Sequence, residues 1–289
     1  TYLSVFNGRI KYSMWVYLNG SYIKAEDAKI SPLDRSATFG DGIYEVIPSY
    51  DQELFLFEEH FERLKSSLYK TFISSPQELE DLENILKLLH KKNLHKNQSF
   101  YIQVSRGVQA VRSHAADRDL QSSLFITSQE LEPNPYKSQP NLKGLTTRLE
   151  EDIRWQRCDI KTTALIGNIL SSHNPTLNPV DEVIFHKDGL INEGSKSNLF
   201  MVKEGIVFTP PLSNKILPGV TRQYLLDKLL SEGIDVLEQD IDIQELYSAD
   251  EVWLTSSTKE VQPIHSIDDF ILPSKDPEES LWHRALEFF

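Results

Sequence analysis

The chain has 289 residues, room for two domains at ~100–200 residues each, and a chain of this size buries about three quarters of its unfolded surface. With 43 Asp and Glu against 30 Lys and Arg, a net charge of −13 argues against nucleic-acid backbones as the main partner, because that contact takes clustered positive charge. A small anionic ligand stays open, since a few local arginines decide it.

Residues 1–14 read as an N-terminal extension. Val16 to Ile23 places Asn19-Gly20 between two β-prone runs, the strongest local hairpin signal, and a second hairpin is expected from Ile43 to Phe57 with Asp51-Gln52 at its turn. Between them, Phe39-Gly-Asp-Gly42 reads as a tight glycine turn, lacking the third glycine of a dinucleotide fingerprint. Phe57, Phe61, Leu64 and Leu68 recur at helical spacing, leaving Glu59, Glu62 and Lys65 for solvent and Arg63 beside the buried stripe. A second helix is expected from Ser75, where Ser75 and Glu78 would form a capping box around Pro76, with Leu79, Leu82, Ile85, Leu86 and Leu89 inside.

Ser99 to Ser105 and Leu124 to Ser128 read as neighbouring strands joined by an irregular, charged loop. Glu132 to Pro140 carries three prolines in nine residues and marks a domain boundary, with 133–140 as the linker. Beyond it, strands are expected at Gly144–Glu150, Glu182–His186, Leu199–Val202, Ile206–Phe208 and Glu251–Thr255. Helices are expected near Thr163–Ser172, Thr221–Glu232 and Ile243–Ser248. The predicted fold class is mixed α/β: a small N-terminal domain over 15–132 and a larger C-terminal domain over 141–289, with a ligand site in the crevice between them.

One cysteine, Cys158, rules out an internal disulfide and fits a reducing compartment. The opening TYLSVFNGRIKYSM lacks the apolar core of a signal peptide, and no apolar run approaches ~18 residues, so a cytoplasmic protein with no membrane partner is expected. The histidines show no metal-ligand spacing, and no metal is expected.

The stretch EDIRWQRCDIKTTALIG, Glu151 to Gly167, sets Lys161 between a charged run and an apolar one. An amine held out of water beside Cys158, Ile160, Leu165 and Ile166 would have its charged form disfavoured, as a Schiff-base lysine requires. Other blocks accompany it: Asp34-Arg35, Phe39 to Glu45, Glu59 to Leu64, Asp152-Ile-Arg-Trp, Asn192-Glu-Gly-Ser195 with Asn198, Leu217 to Arg222, and Leu254 to Thr258. In order and spacing they resemble the fold-type IV (class IV) pyridoxal-phosphate-dependent aminotransferases, and within these the D-amino-acid branch, over about positions 15 to 275.

That resemblance implies pyridoxal 5′-phosphate as cofactor and Lys161 as the lysine that carries it as an aldimine and moves the substrate's α-proton. It implies Glu193 facing the pyridine nitrogen, and the phosphate held by Arg63, by Val220 and Thr221 at a helix start after Gly219, and by Ser256 and Ser257. Relatives often have threonine where Ser257 stands; Ser36 replaces a glycine common after Asp-Arg, and Lys196 interrupts a run that is often serine and alanine. An R-x-H at Arg112-Ser-His114 resembles the carboxylate trap of the D-specific branch, in which a partner subunit's Arg112 and His114 join Tyr44. The implied reaction is transamination between D-amino acids, D-alanine and D-glutamate, and 2-oxo acids, 2-oxoglutarate and pyruvate, by a homodimer. An L-branched-chain aminotransferase or an aminodeoxychorismate lyase on the same fold is the alternative. Read from the residues alone, Cys158 is a packed thiol and His60 is structural.

Overall fold

The computed structural model describes the backbone of residues 5–6 and 9–10 and all of residues 14–289. The expected extension and the signal-peptide reading rest largely on residues outside those described. Val5–Phe6 (β1) and Arg9–Ile10 (β2) pair antiparallel. The chain divides into two units, residues 1–132 with 160–164, and residues 133–159 with 165–289.

The first unit is built on a six-stranded antiparallel sheet in the order β4-β3-β8-β7-β5-β6. Its strands are Trp15–Leu18 (β3), Ser21–Lys24 (β4), Gly42–Tyr50 (β5), Glu53–Leu54 (β6), Gln98–Ser105 (β7) and Ser123–Glu130 (β8). Both expected hairpins form; φ is positive at Asn19 and Gly20 and again at Asp51 and Gln52, as two-residue turns matched to strand twist require. A short helix, Arg35–Phe39 (α1), precedes the glycine turn and ends at Gly40 in the left-handed conformation.

Phe57–Thr71 (α2) and Leu82–Asn93 (α3) cover one sheet face. Leu64 and Leu68 of α2 and Leu82, Ile85, Leu86 and Leu89 of α3 pack on Ile43 and Ile47 of β5 and on Phe100, Ile102 and Val104 of β7. The strand residues alternate, as the period of two demands. The Ser75–Glu78 capping box does not form: Gln77–Asp81 is a 3-10 turn entered from Pro76 without a side-chain cap, and α3 follows it from Leu82. Leu79 is nevertheless buried, because the tighter turn still points it inward.

The second unit holds a mixed sheet in the order β11-β10-β9-β16-β15-β12-β13-β14, with β17 added on β16. The strands are Leu145–Glu151 (β9), Glu182–Lys187 (β10), Leu190–Gly194 (β11), Asn198–Lys203 (β12), Ile206–Thr209 (β13), Val236–Glu238 (β14), Glu251–Ser256 (β15), Glu260–Ile267 (β16) and Phe270–Ile271 (β17). The central strands β12 and β15 are buried on both faces, which is why they read as unbroken apolar runs. Phe200, Val202 and Trp253 face Val220–Ser231 (α6) and Leu281–Leu286 (α8), while Leu199, Met201 and Leu254 face Ile243–Tyr247 (α7).

Residues 133–140, expected as a linker, fold with this unit. Asn134 caps Pro135–Ser138 (α4), its Nδ2 donates to the carbonyls of Lys259 and Val261, and Tyr136 is buried. The expected Thr163–Ser172 helix is shorter, Ile166–Ser172 (α5), because residues 162 and 163 are bound to β5 of the first unit. No helix among the described residues is long and apolar enough to cross a membrane.

Candidate active site

Strand β5 sends Tyr44 and Glu45 to opposite faces. Glu45, between Ile43 and Ile47, points into the helix-covered core with no exposed surface. There it accepts Arg63 Nε at Oε2 (2.9 Å), Arg63 Nη2 at Oε1 (2.6 Å) and meets His60 Nδ1 at 3.1 Å. Burial works to raise the Glu45 carboxyl, but the Arg63 charge and the His60 and Arg63 hydrogen bonds outweigh it and hold it below the ordinary range. The same burial pushes the His60 imidazole down against the pull of Glu45. The arginine assigned to the phosphate is thus oriented by a bidentate carboxylate fork, with His60 buried in support.

On the other face stands Tyr44, stacked on Tyr101 at 5.4 Å, and against it lies Lys161. Residues 161–163 lie along the start of β5: Tyr44 N donates to Lys161 O (2.8 Å), Thr163 N to Gly42 O (3.0 Å), and Thr162 Oγ1 to Gly42 O (3.1 Å). This is the stretch of the β5 edge that β6, paired only at Ser49 and Tyr50, leaves open. Ile160 enters the core, and the Lys161 Nζ sits 4.4 Å from the centroid of the Tyr44 ring. The apolar shelter expected for this lysine is only partly present, since Ile166 is 66% exposed. An aromatic face takes the place of that aliphatic wall.

Glu193 is a buried residue of β11. Its Oε1 accepts Arg154 Nη1 (2.7 Å), and its Oε2 accepts Leu217 N (3.0 Å) and Asn198 Nδ2 (3.1 Å). Burial is the largest influence on this carboxyl and pushes it up to about 7 against the opposing charge of Arg154. Arg154 also forks onto Asp152, through Nε to Oδ1 (3.0 Å) and Nη2 to Oδ2 (2.8 Å), and stacks 4.5 Å from the Phe185 ring. Arg154 stands inside the Asp152-Ile-Arg-Trp block, where linear order gives no sign of the two carboxylates it joins. Lys196 is 69% exposed, and its Nζ lies 3.9 Å from Glu182 Oε2. The Cys158 thiol is packed, and burial raises it to about 12.

Val220 and Thr221 open α6, whose cap residue, Gly219, has no side chain to satisfy the first N–H groups. A Cβ there would stand 1.9 Å from Asn198 Oδ1, so only glycine lets Asn198 reach both Glu193 and Leu217 O from this position. Ser256 ends β15 and Ser257 follows it, both half-buried.

Arg112 and His114 lie exposed on the loop after β7, gathered on Phe39: the Arg112 Cζ is 4.4 Å from that ring's centroid, and the His114 ring is 5.5 Å away. The structure brings Lys161 to Tyr44, and Arg112 to His114, as two groups with no hydrogen bond or ring contact joining them among the described residues.

These residues suit pyridoxal phosphate. An uncapped twelve-residue helix offers N–H donors to a phosphate, a buried carboxyl is poised to gain from a cationic ring nitrogen, and a lysine amine is held on an aromatic face. Among the described residues, no cluster of three or more His, Cys, Asp or Glu is placed to hold a metal.

The class IV amino-transferase family model matches residues 42–267. A D-alanine aminotransferase of Listeria monocytogenes serotype 1/2a (strain 10403S) is 37% identical over 255 residues, 88% of each chain. Another, from Staphylococcus epidermidis (strain ATCC 35984), is 37% identical over 254 residues, 88% of this chain and 89% of that one. Among solved structures, the branched-chain aminotransferase of Thermoproteus uzoniensis with norvaline superposes with a TM-score of 0.83 at 26% identity, covering 95% of this chain and 93% of that one. A branched-chain amino acid aminotransferase from T.th., solved with pyridoxamine 5′-phosphate, reaches a TM-score of 0.87 at 22% identity, over 97% and 93%, and so speaks for the fold alone. By sequence match and by fold together, this chain belongs to the class IV aminotransferases, the pyridoxal-phosphate-dependent transaminases.

Proposed function

We propose that this protein transfers amino groups between D-amino acids, with D-alanine and D-glutamate as donors, and 2-oxo acids, with 2-oxoglutarate and pyruvate as acceptors. The observation that carries the reading is the seating of the Lys161 amine on the Tyr44 ring, with the Tyr44 amide bound to the Lys161 carbonyl. It joins the residue proposed for catalysis to one proposed for substrate binding. The identity to D-alanine aminotransferases of Listeria and Staphylococcus supports the D-substrate class.

Bound pyridoxal phosphate supplies the electron sink that makes the substrate α-carbon acidic. With that cofactor bound, Lys161 Nζ would take the substrate's α-proton, hold it, and return it at the cofactor's C4′. Glu193 keeps a proton at the ring nitrogen, stabilised there by Asn198 and the Leu217 amide. Val220, Thr221, Ser256, Ser257 and Arg63 hold the phosphate, Arg63 with its fork set by Glu45. Arg112 and His114, from a partner subunit, bind the α-carboxylate with Tyr44. A cytoplasmic homodimer is the proposed form, in which the exposed loop of Arg112 and His114 meets a second copy.

The test is the visible band of the cofactor in purified holoenzyme, recorded with D-alanine, L-alanine and L-leucine in turn. Bleaching by D-alanine alone is the expected result. Bleaching by L-leucine would turn the assignment to a branched-chain enzyme, and a fully active monomer would overturn the shared trap. Lys161→Ala is expected to lower kcat by about 10²–10⁴-fold with the fold intact.

A further inference from the structure

Arg35 and Phe39 are four residues apart and so share one side of α1. Arg35 is 5% exposed, and its guanidinium makes four directed contacts. Its Nε donates to Asp41 Oδ2 (2.7 Å), Nη1 to Gln109 Oε1 (2.9 Å) and to the Ser113 carbonyl (2.7 Å), and Nη2 to the His114 carbonyl (3.1 Å). Gln109, itself buried, passes the hold along the loop through Nε2 to the carbonyls of Val111 (3.1 Å) and Ala115 (3.2 Å). The start of the loop is tied to the same helix entry: Arg35 N donates to Gly107 O (2.9 Å), and Gln109 N to Leu33 O (3.2 Å). A side chain at Gly107 would meet the Gln121 carbonyl at 1.9 Å, which keeps the loop's two ends close.

Above this anchorage lies the Phe39 ring. Arg35 stacks on it at 4.6 Å, Arg112 at 4.4 Å, and the His114 ring leans on it at 5.5 Å. An exposed arginine at a loop tip ordinarily samples many rotamers, and freezing it when a carboxylate binds opposes the binding. Here the backbone on the C-terminal side of Arg112 is fixed from below by Arg35, and its guanidinium is placed by an aromatic platform.

We infer that Arg35 and Phe39 are positioning residues for substrate carboxylate binding, Arg35 by holding the Ser113 and His114 carbonyls and Phe39 by seating Arg112 and His114 before substrate arrives. The inference rests on the reading of Arg112 and His114 as the carboxylate trap. Neither positioning residue touches substrate, so the loss shows in KM for D-alanine with kcat nearly unchanged.

The experiment measures steady-state kinetics of dimeric holoenzyme with D-alanine and 2-oxoglutarate for Phe39→Leu, Phe39→Tyr, Arg35→Lys, Arg112→Ala and the double variant Phe39→Leu/Arg112→Ala. Arg112→Ala is expected to raise the D-alanine KM about ten- to a hundredfold, the range for a lost hydrogen bond to a charged group. Phe39→Leu and Arg35→Lys are expected to raise it about five- to tenfold with kcat within about twofold. Phe39→Tyr is expected to restore it, and the double variant to match Arg112→Ala. A KM unmoved in Phe39→Leu beside a raised one in Arg112→Ala would overturn the positioning role alone. A KM unmoved in Arg112→Ala would overturn the trap itself and the positioning role with it. Should Arg35→Lys fail to fold, the Phe39 variants decide the matter, because Phe39 lies only half-buried at the helix end.

Discussion

Glu193 shows how a carboxylate can be held between burial and one guanidinium. Its folded-state carboxyl is raised from 4.5 to about 7, so the folded chain binds more protons than the unfolded chain across that window. Stability of the cofactor-free protein therefore falls as pH rises from about 4.5 to about 7, by up to about 3 kcal/mol from this group. Urea unfolding at about pH 5 and about pH 8 should show that loss in the wild type and a flatter profile in Glu193→Gln; equal slopes would remove Glu193 as the source. Arg154 is the counterweight. With Arg154→Met, Asp152 and Glu193 both lose their cation in a buried place, and a cost of about 3–5 kcal/mol at about pH 8 is expected from the same measurement. The lysine, the acid and the R-x-H pair stand out in the sequence as candidates, through the order and spacing of the blocks that hold them. Arg154 was not, because nothing in a linear order says which carboxylates an arginine will fork.

At the scale of elements, periodicity located the helices α2, α3, α6 and α7 and the strands with a clear apolar run. It passed over β11, whose Asn-Glu-Gly content reads as loop, and β16, where Pro263 interrupts the run. Both exist because neighbours complete their ladders: β16 lies between β9 and β15, and β11 against β10. The proline-rich 133–140 stretch begins where the two units divide, but it is an ordered part of the second unit. Its composition disfavours a continued strand, yet Asn134 satisfies two carbonyls of the Lys259–Val261 segment and caps α4. Asn134→Ala is expected to cost about 1–3 kcal/mol by leaving those carbonyls without their donor, and a lowered thermal midpoint of the purified protein would show it. An unchanged midpoint would mean that water replaces the amide.

At the scale of the whole molecule, the segment Ile160–Ala164 folds with the first unit although the chain on both sides of it folds with the second. Ile160, 5% exposed, belongs to the core formed by β5, β7, α2 and α3. Ile160→Ala is expected to destabilise that unit by about 2–5 kcal/mol, with faster amide exchange in the β5 and β7 peptides than in those of β12 and β15. Exchange that rises only in β12 and β15 would contradict the assignment.

The order and spacing of residues were enough to establish the mixed α/β class, most elements, the family and its cofactor, because core periodicity and site chemistry both leave their marks along the chain. Tertiary structure alone decided that Lys161 meets the Tyr44 ring rather than an aliphatic wall, that Arg154 joins Asp152 to Glu193, and that Arg35 reaches the loop of Arg112. Those contacts join residues brought together by sheet register and loop return, and their strength depends on burial, which no residue carries in its own identity.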